Sequence, residues 1–484
     1  MMPNITDSYD NCSTILVGRN ASATGYVLMA HGEDDSGCVS QVHRVPRMQH
    51  GEGEVLTFAD GAAVIPQVSE TWAYLWTEHR GPGGIPFADG FLNEWGVAIS
   101  SDSCVSTRSA SEEPPRGLGY GMRRLLAERS RTAREGVELA AELMQKYGYR
   151  STRAYHIADK NEAWSVQLTV GSQFAARRVG DDEIYYIPNW LTIHGIDFTD
   201  TEHRNFYWSE DLVGYAIRNG WYHPKVPGDY RDFDFAAVYQ GPDSEGKSNF
   251  DRTKLAWQQI TGAGPMPDRT FSIPAPRKFS VADLKSILRS HYLEYDEDRK
   301  ADPAMSPHRF GICRDTTVES FVVEFAEQAA LTVLWRAAPR PCVSPYIPWF
   351  CGITRPAKGY TWMGVKASQA SHLDPDETEF RYRPDLAYWA FHTLMNTMEF
   401  DYPAGAPLVH GEIAQLEALW TATVPEIRAA YLRLLETNEA AATELLTDWT
   451  HAQAQKAWDW AGQMNQTLID RKNAENIAAW RKLL

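Results

Sequence analysis

Two short apolar runs near the N-terminus, separated by turn-forming residues, most constrain the fold of this chain. The first run extends from Ser13 to Val17 and is rich in β-branched residues, and the second extends from Tyr26 to Ala30. Residues 19–24 between them are rich in turn formers, so the pattern predicts a β-hairpin. The antiparallel return then brings Cys12, which opens the first strand, close to Asp34, which follows the second.

Cys12 has two interpretations. A lone cysteine beside a strand is usually a small buried residue. If residues 1–11 were removed, however, Cys12 would carry a free α-amine as well as a thiol. Because the reference pKa is about 7.7–8.0 for the amine and about 8.5 for the thiol, the amine can act as the base for its own side chain near neutral pH. Residues 1–11 are polar and contain no apolar run, and we interpret them as a propeptide.

Several further blocks of sequence, together with this N-terminal stretch, carry a resemblance to a known family. The chain resembles the dipeptidase A family of N-terminal-nucleophile cysteine peptidases, which includes the secernins and is distantly related to bile-salt hydrolases and penicillin V acylases. The blocks occur in family order and cover most of residues 12–400. They are CSTILVG (12–18), AHGED (30–34), LNEWGVAI (92–99), YHIAD (155–159), EAW (162–164), PNWLTI (188–193), ICRDTT (312–317), ESFV (319–322) and CVSPYIP (342–348).

The resemblance implies an α+β fold, the αββα sandwich in which two antiparallel sheets pack face to face between layers of helices. It also implies acyl transfer through a thioester on Cys12. The α-amine would take the thiol proton and return it to the leaving amine, and water would then hydrolyse the acyl-enzyme.

Four further residues are assigned to the site by this resemblance, and each has a structural alternative. Asn93 and Asn189 match the two asparagines that stabilise the oxyanion in bile-salt hydrolases, but both could be turn formers. Asp34 matches the aspartate that contacts the amine of the nucleophile, but could belong to a solvated acidic turn. Arg252 matches an arginine behind the site, but could be a surface ion-pair residue.

His31 departs from the family pattern, in which an arginine usually precedes the aspartate. An arginine is a fixed cation, whereas a histidine is charged only part of the time near pH 7. We therefore expect His31, as a residue of the substrate-binding site, to shift the pH optimum or to change which substrates the pocket accepts.

Hydrophobic periodicity supports an α+β arrangement. Residues 119–147 have helical spacing, with Thr132 and Glu135 as a predicted capping box. Ser280 and Asp283 predict a second capping box. Four strand-like runs follow the first helices, at 154–158, 164–169, 174–179 and 183–187, and a strand pair is predicted at 317–325 and 331–335. Residues 79–86 form a turn-rich cluster that predicts a surface loop near the site entrance.

No repeat or linker divides the chain. We expect a propeptide over residues 1–11, a peptidase domain over 12–400, and a helical extension over 401–484 that packs on the same domain.

Composition excludes several other classes of protein. A net charge of −16 disfavours sequence-independent nucleic-acid binding, which needs a basic face. No apolar run approaches a membrane span, and the N-terminus lacks the pattern of a secretory signal. The six cysteines are scattered without a Cys-x-x-Cys pair, and no paired histidine spacing occurs. We therefore predict a cytoplasmic protein that binds no nucleic acid, membrane, cofactor or metal.

Three functions remain open. The first is a cysteine dipeptidase that hydrolyses small dipeptides. The second is an amidase or acyltransferase that uses the same nucleophile on an N-acyl metabolite. The third is a secernin-like protein without catalysis. In the first two cases the partner is a small peptide or amide substrate, and the family implies a homo-oligomer.

Overall fold

The predicted hairpin lies in the middle of a seven-stranded antiparallel sheet, sheet 1. In the computed structural model of the chain, the described residues are 12–35, 37–58, 63–84, 90–104, 106, 117–241, 247–262, 270–291, 307–308 and 311–482. In spatial order, the strands of sheet 1 are β16 (Ser272–Pro274), β14 (Glu183–Ile187), β1 (Ser13–Val17), β2 (Leu28–Asp34), β17 (Thr317–Glu324), β18 (Val333–Ala337) and β19 (Ile347–Phe350).

Sheet 2 has eight strands, and its neighbouring strands are also antiparallel. In spatial order they are β15 (Phe206–Trp208), β13 (Phe174–Arg178), β12 (Ala163–Leu168), β11 (Arg153–Ala158), β10 (Ala98–Ser103), β9 (Gly90–Asn93), β8 (Tyr74–Arg80) and β3 (Val39–Val45). Two small ribbons accompany it: β4 (Met48–Gln49) with β7 (Glu70–Thr71), and β5 (Val55–Thr57) with β6 (Val64–Pro66).

Helices cover the outer faces of both sheets. On sheet 2, α1 (Gly121–Arg129) packs against β9 and β10, and α2 (Ala133–Tyr147) packs against β11 and β12. On sheet 1, α5 (Lys247–Thr261) packs against β14, and α6 (Val281–Leu288) packs against β2 and β17. The layers therefore follow the order helix, sheet, sheet, helix, which confirms the predicted αββα sandwich.

The remaining helices surround this sandwich. The C-terminal part consists of α8 (Ala387–Glu399), α9 (Tyr402–Leu435) and α10 (Glu439–Arg481), and α10 packs against β19. The shorter helices are α3 (Leu212–Arg218), α4 (Phe235–Gln240) and α7 (Val365–Ser371), with 3₁₀ turns at Ala329–Leu331 and Glu377–Phe380. Among the residues described here, no helix combines the length and the apolar composition that a membrane span requires.

Polar side chains of the two sheets meet at the interface between them. Thr14 of β1 donates to Asp102 of β10 at 2.6 Å. Ser165 of β12 and Tyr185 of β14 share a hydrogen bond of 3.1 Å. Because buried polar groups need partners, these contacts fix how one sheet lies over the other.

The two predicted capping boxes have different outcomes. The box of Ser280 and Asp283 is complete at the start of α6. At the start of α2, the Thr132 hydroxyl accepts from the Glu135 amide at 3.1 Å, but the Glu135 carboxylate accepts from the amide of Arg131. Thr132 is thus an N-cap without the reciprocal bond.

The loop predicted at residues 79–86 is wrong at its start. His79 and Arg80 are the last two residues of β8 and are fully buried. Glu319 of β17 pairs with His79 at 3.0 Å, and Glu78 pairs with Arg80 at 2.8 Å. Buried carboxylates therefore pair with these two residues inside the strand, whereas the turn-rich sequence around them predicted an exposed loop. Residues 85–86 lie outside the described residues.

Candidate active site around Cys12

Cys12 lies directly before β1, at the edge of the space between the two sheets. The register of the hairpin pairs Ser13 with Gly32 and Thr14 with His31, so Cys12 comes opposite Glu33. Its thiol donates to Glu33 Oε1 at 3.0 Å, and the residue is 4% exposed. The hairpin therefore brings a thiol and a carboxylate into direct contact.

Glu33 begins a chain of hydrogen bonds that crosses to sheet 2. His31 Nε2 lies 3.0 Å from Glu33 Oε2, and His31 Nδ1 lies 2.8 Å from the Thr14 hydroxyl. Because Thr14 donates its only proton to Asp102, His31 Nδ1 must donate to Thr14. Cys12, Thr14, His31, Glu33 and Asp102 are hereafter the Cys12 cluster.

The direction of these bonds makes His31 a cation. Nδ1 donates to Thr14, and the carboxylate of Glu33 accepts from Nε2, so both ring nitrogens carry protons. Burial alone would lower the pKa of His31, but the hydrogen bond to Glu33 and the charge of Asp102 raise it above its usual value. His31 therefore approaches the fixed cation that the family pattern has at this position.

Asp102 is held by a second histidine. His156 Nε2 lies 2.7 Å from Asp102 Oδ2, the oxygen that also accepts from Thr14. Burial opposes the ionised form of Asp102, but the hydrogen bond from His156 and the charge of His31 lower its pKa below the usual value. Asp102 is thus a buried carboxylate that stays charged.

The thiol of Cys12 is held in its protonated form. Burial is the largest cause, and the negative charges of Glu33 and Asp102 add to it, so the pKa of Cys12 is raised well above its usual value. A thiol in these surroundings is a poor nucleophile until a base removes its proton. Glu33 is the base in direct contact with it.

Arg252 of α5 anchors the backbone at Cys12. Its guanidinium donates to the Cys12 carbonyl oxygen at 2.5 Å and to the Ser13 hydroxyl at 3.1 Å. It also donates to the side-chain oxygens of Asn189 and Asn249, each at 2.6 Å. Arg252 is fully buried, so the structure excludes the surface ion-pair alternative.

Asn189 lies just after β14 and is oriented from both ends of its amide. The oxygen accepts from Arg252, and the nitrogen donates to the Ser103 carbonyl at 2.8 Å. Arg252 therefore links Asn189 directly to the backbone of Cys12.

Asp34 is buried and is not part of a solvated turn. Its carboxylate accepts from the Thr317 hydroxyl and lies 4.0 Å from the Arg314 guanidinium. Burial is the largest cause that raises the pKa of Asp34 to about 7, although Arg314 and Thr317 oppose it. A carboxyl in this state is ready to be ionised by a nearby positive charge.

Asn93 does not have the geometry that the oxyanion assignment requires. Its nitrogen donates to the carbonyl oxygens of Ala127 and Ser130 at 3.0 and 2.7 Å. Its oxygen accepts from the amides of Trp95 and Val97, each at 3.0 Å. Both amide hydrogens are engaged by the end of α1, so the turn-forming alternative describes this residue.

Sequence reasoning missed Glu33, Thr14, Asp102 and His156. For the first two, a signal was present in the hairpin itself. In a strand every second residue faces the same side, so His31 and Glu33 face the side of Thr14 and Cys12. Asp102 and His156 come from β10 and β11 of the other sheet, so no local pattern indicated their role, although His156 lies within the block at 155–159.

Comparison with known proteins agrees with the resemblance carried by the sequence blocks. The profile of peptidase family C69 matches residues 11–411. This match covers most of the chain, and the chain therefore belongs to peptidase family C69 and is a peptidase hydrolase. The resemblance inferred from the sequence is thereby confirmed.

Among curated relatives, a probable dipeptidase of Latilactobacillus sakei is 25% identical over 416 residues, 81% of this chain and 82% of the relative. Probable dipeptidase B of Streptococcus pyogenes serotype M1 is 21% identical over 489 residues, covering 95% and 93%. Among solved structures, penicillin V acylase from Agrobacterium tumefaciens matches with a TM-score of 0.31 and 13% identity, covering 68% of this chain and 82% of that one.

Proposed function

We propose that this chain is a cysteine dipeptidase whose nucleophile is Cys12, exposed when residues 1–11 are removed. The observation that carries the proposal is the hydrogen bond from the Cys12 thiol to Glu33, inside a buried cluster of charged groups. The family match begins at residue 11, one residue before this cysteine. The curated relatives are named as probable dipeptidases, which favours short peptides as substrates.

Removal of the propeptide is the first step. Glu33 takes the thiol proton, and the Cys12 sulfur bonds to the carbonyl carbon of residue 11 as the bond from that carbon to the Cys12 nitrogen breaks. The proton passes from Glu33 to this nitrogen, which becomes the free α-amine. Water then hydrolyses the thioester, which restores the thiol and releases residues 1–11 with a new carboxyl group.

In turnover the new α-amine is the base. It removes the thiol proton while the sulfur attacks the scissile carbonyl carbon of the dipeptide, and it returns the proton to the leaving amine. Water hydrolyses the resulting acyl-enzyme. In this scheme Asp34 stabilises the ammonium group that forms once the amine has taken the thiol proton, because an adjacent carboxylate favours an ammonium group.

Stabilisation of the oxyanion is assigned to Asn189 and not to Asn93. Arg252 fixes the amide oxygen of Asn189 and so sets the direction of its nitrogen, as a preorganised donor requires. Arg252 acts as a positioning residue through Asn189 and the Cys12 carbonyl. A cytoplasmic location and a homo-oligomeric assembly remain part of the proposal and are tested by cell fractionation and light scattering.

Intact mass and N-terminal sequencing of the purified full chain test the proposal, with Cys12→Ala as the comparison. We expect the wild-type chain to begin at Cys12 and to hydrolyse dipeptides with a free amine, whereas the variant keeps residues 1–11 and is inactive. Turnover of N-acylated amides alone would favour the amidase alternative. A wild-type chain that keeps its leader and hydrolyses nothing would favour the non-catalytic alternative.

A further inference from the structure

Two histidines and two cysteines converge on one point outside the active site. His291, His308, Cys313 and Cys342 present ring nitrogens and sulfurs that all lie within 4.8 Å of one another. All four residues are buried, with at most 2% of any of them exposed. These four residues are hereafter the His/Cys cluster.

The fold assembles this cluster from separate segments. His291 comes three residues after α6, and His308 comes from the short described segment 307–308. Cys313 precedes β17, and Cys342 lies between β18 and β19. Since local spacing therefore carries no signal, the sequence led to the expectation of no metal site.

The distance between the ligand atoms of His308 and Cys342 suits a tetrahedral metal ion. Zinc binds thiolate sulfur at about 2.3 Å and imidazole nitrogen at about 2.0–2.1 Å, so ligand atoms in a tetrahedral site lie roughly 3.3–3.8 Å apart. His308 Nε2 lies 3.3 Å from Cys342 Sγ, and the rings of His291 and His308 are nearly perpendicular, with centroids 4.9 Å apart. Two sulfur and two nitrogen ligands are a set typical of zinc.

We propose that His291, His308, Cys313 and Cys342 form a structural zinc site. Binding requires both thiols to lose their protons, and the two thiolates then neutralise the charge of the ion. Four protein ligands leave no open position, which indicates a structural and not a catalytic ion.

The surroundings of His308 support this assignment. Its Nδ1 lies 2.9 Å from Glu399 Oε1 at the end of α8, which leaves Nε2 directed at Cys342. Histidine ligands of zinc usually donate their second ring nitrogen to a carboxylate in this way, which fixes the tautomer and the ring. Arg340 pairs with the same carboxylate, and the Tyr402 ring packs across both histidine rings at 5.0 and 5.6 Å between centroids.

A cavity also reaches two residues of the cluster. A cavity of about 1000 Å³ between α6 and α9 is lined by His291 and Cys342. Lys285 and Glu417 line the same cavity. No residue of the Cys12 cluster lines this cavity, so the metal site is distinct from the candidate active site.

Zinc at this point would join four segments around the outer side of sheet 1. It would hold the end of α6, the segment at His308, the loop before β17 and the turn before β19. The loop before β17 also carries Arg314, which faces Asp34 at 4.0 Å. We therefore expect the ion to stabilise the fold and to keep this loop against the active site.

A disulfide between Cys313 and Cys342 is the main competing explanation. A disulfide would account for two of the four residues but not for the convergence of two histidines on the same sulfurs. It is an outcome that the experiment distinguishes, because a disulfide removes two of the six thiols and zinc removes none after denaturation.

The test is elemental analysis of the purified full chain after dialysis against zinc and then against metal-free buffer. We expect about one zinc per chain in the wild type, and a loss of at least about tenfold in occupancy in Cys342→Ser and in Cys313→Ser. The matched control is Cys351→Ser, a buried cysteine outside the cluster whose sulfur donates to the Asn93 carbonyl at 3.1 Å. Serine can keep this hydrogen bond and leaves all four ligands in place, so the control should fold and should retain its zinc.

X-ray absorption at the zinc edge of the wild type provides a measurement that needs no variant. We expect two sulfur neighbours at about 2.3 Å and two nitrogen neighbours at about 2.0–2.1 Å. The proposal is overturned by a wild type that binds no zinc, by a shell without sulfur, by zinc retained in both variants, or by four free thiols after denaturation without reductant. If a variant does not fold, the absorption spectrum alone decides.

Discussion

Two buried cysteines of this chain, Cys12 and Cys342, have different neighbours: carboxylates lie near the first thiol, and histidines lie beside the second. Cys12 lies between the sheets beside Glu33 and near Asp102. Cys342 lies on the outer side of sheet 1, beside His308. The comparison teaches that neighbours brought by the fold, and not the residue type, decide what a buried thiol can do.

The two thiols respond to these neighbours in opposite directions. Burial and nearby carboxylates raise the pKa of Cys12, so its proton must be taken by a base during the reaction. Burial alone would also raise the pKa of Cys342, but hydrogen bonds from Cys313, His291 and His308 lower it well below the usual value. The first environment suits a nucleophile whose proton a base removes during the reaction. In the second, the pKa of Cys313 is raised by burial and by Cys342, opposite to that of Cys342, so the metal assignment rests on the geometry of the four side chains.

Replacing Cys12 alone separates the roles of the two sites most sharply. We expect Cys12→Ala to lower peptidase activity by at least about 10⁴-fold, because the nucleophile is lost, while its zinc content stays at the wild-type level. Activity assays and elemental analysis on the same preparation measure both effects. Loss of zinc in Cys12→Ala, or activity close to that of the wild type, would contradict the division of roles.

The role of Glu33 as the base for propeptide removal is tested by Glu33→Gln. Glutamine can accept the hydrogen bond from Cys12 but cannot hold its proton, so we expect cleavage before Cys12 to slow by about 10²-fold. The residual rate should rise about tenfold per pH unit, because it then depends on spontaneous ionisation of the thiol. Intact mass against time measures this rate.

A matched control for Glu33→Gln is Glu138→Gln, which changes a half-exposed glutamate of α2 that pairs with Arg134. The control should cleave as the wild type does. An unchanged rate in Glu33→Gln would show that Glu33 is not the base that takes the thiol proton in the precursor.

The N-terminal hairpin shows how much of the site can be read from the sequence. Its two strands and the approach of Cys12 to residues 31–34 follow from short apolar runs and turn residues. The register and the extension of the second strand to Asp34, which the sequence placed after that strand, come from the structure. The resemblance added Asn189 and Arg252, which the structure brings together through one hydrogen bond of 2.6 Å. Asp102 and His308 could not be predicted in the same way, because their partners lie on other strands or loops and only the tertiary fold brings them into contact.

Asn93 shows the opposite failure. A family pattern assigned it to catalysis, whereas both of its amide hydrogens are bound to backbone oxygens at the end of α1. A motif can thus locate a turn correctly and still mislead about which atom in it is available. Buried hydrogen-bond capacity, which is a property of the three-dimensional environment, decides the matter.

Asp34 should make the unprocessed chain less stable as the pH rises. Its pKa is raised from 3.8 to about 7 in the folded chain, so between about pH 4 and pH 7 the folded state binds more protons than the unfolded state. The free energy of unfolding therefore falls as the pH rises through this window. In the Cys12→Ala background, we expect Asp34→Asn to remove this loss, which amounts to at most about 4 kcal/mol.

Urea unfolding at pH 5 and pH 8 measures the effect of Asp34→Asn. In the processed wild-type chain the new α-ammonium should lower the pKa of Asp34, so the same substitution should have less effect there. If the processed and unprocessed chains show the same pH dependence, Asp34 does not face the amine.

His31 is expected to give the smallest effect and to sharpen the comparison of the two clusters. Its pKa is raised by the hydrogen bond to Glu33 and by Asp102, although burial opposes this, so the imidazolium persists to a higher pH than in a free histidine. His31→Gln should slow propeptide removal by roughly tenfold, because Glu33 loses the charge-assisted hydrogen bond from His31 Nε2 that holds it against the thiol. His31→Arg should cleave at a rate within about threefold of that of the wild type near pH 7, since it keeps the positive charge.

The wild type and His31→Arg should differ at higher pH, where the wild type loses the charge on His31 and the arginine variant does not. Identical pH profiles and identical substrate preferences for wild type and His31→Arg would show that this histidine only fills space between the sheets.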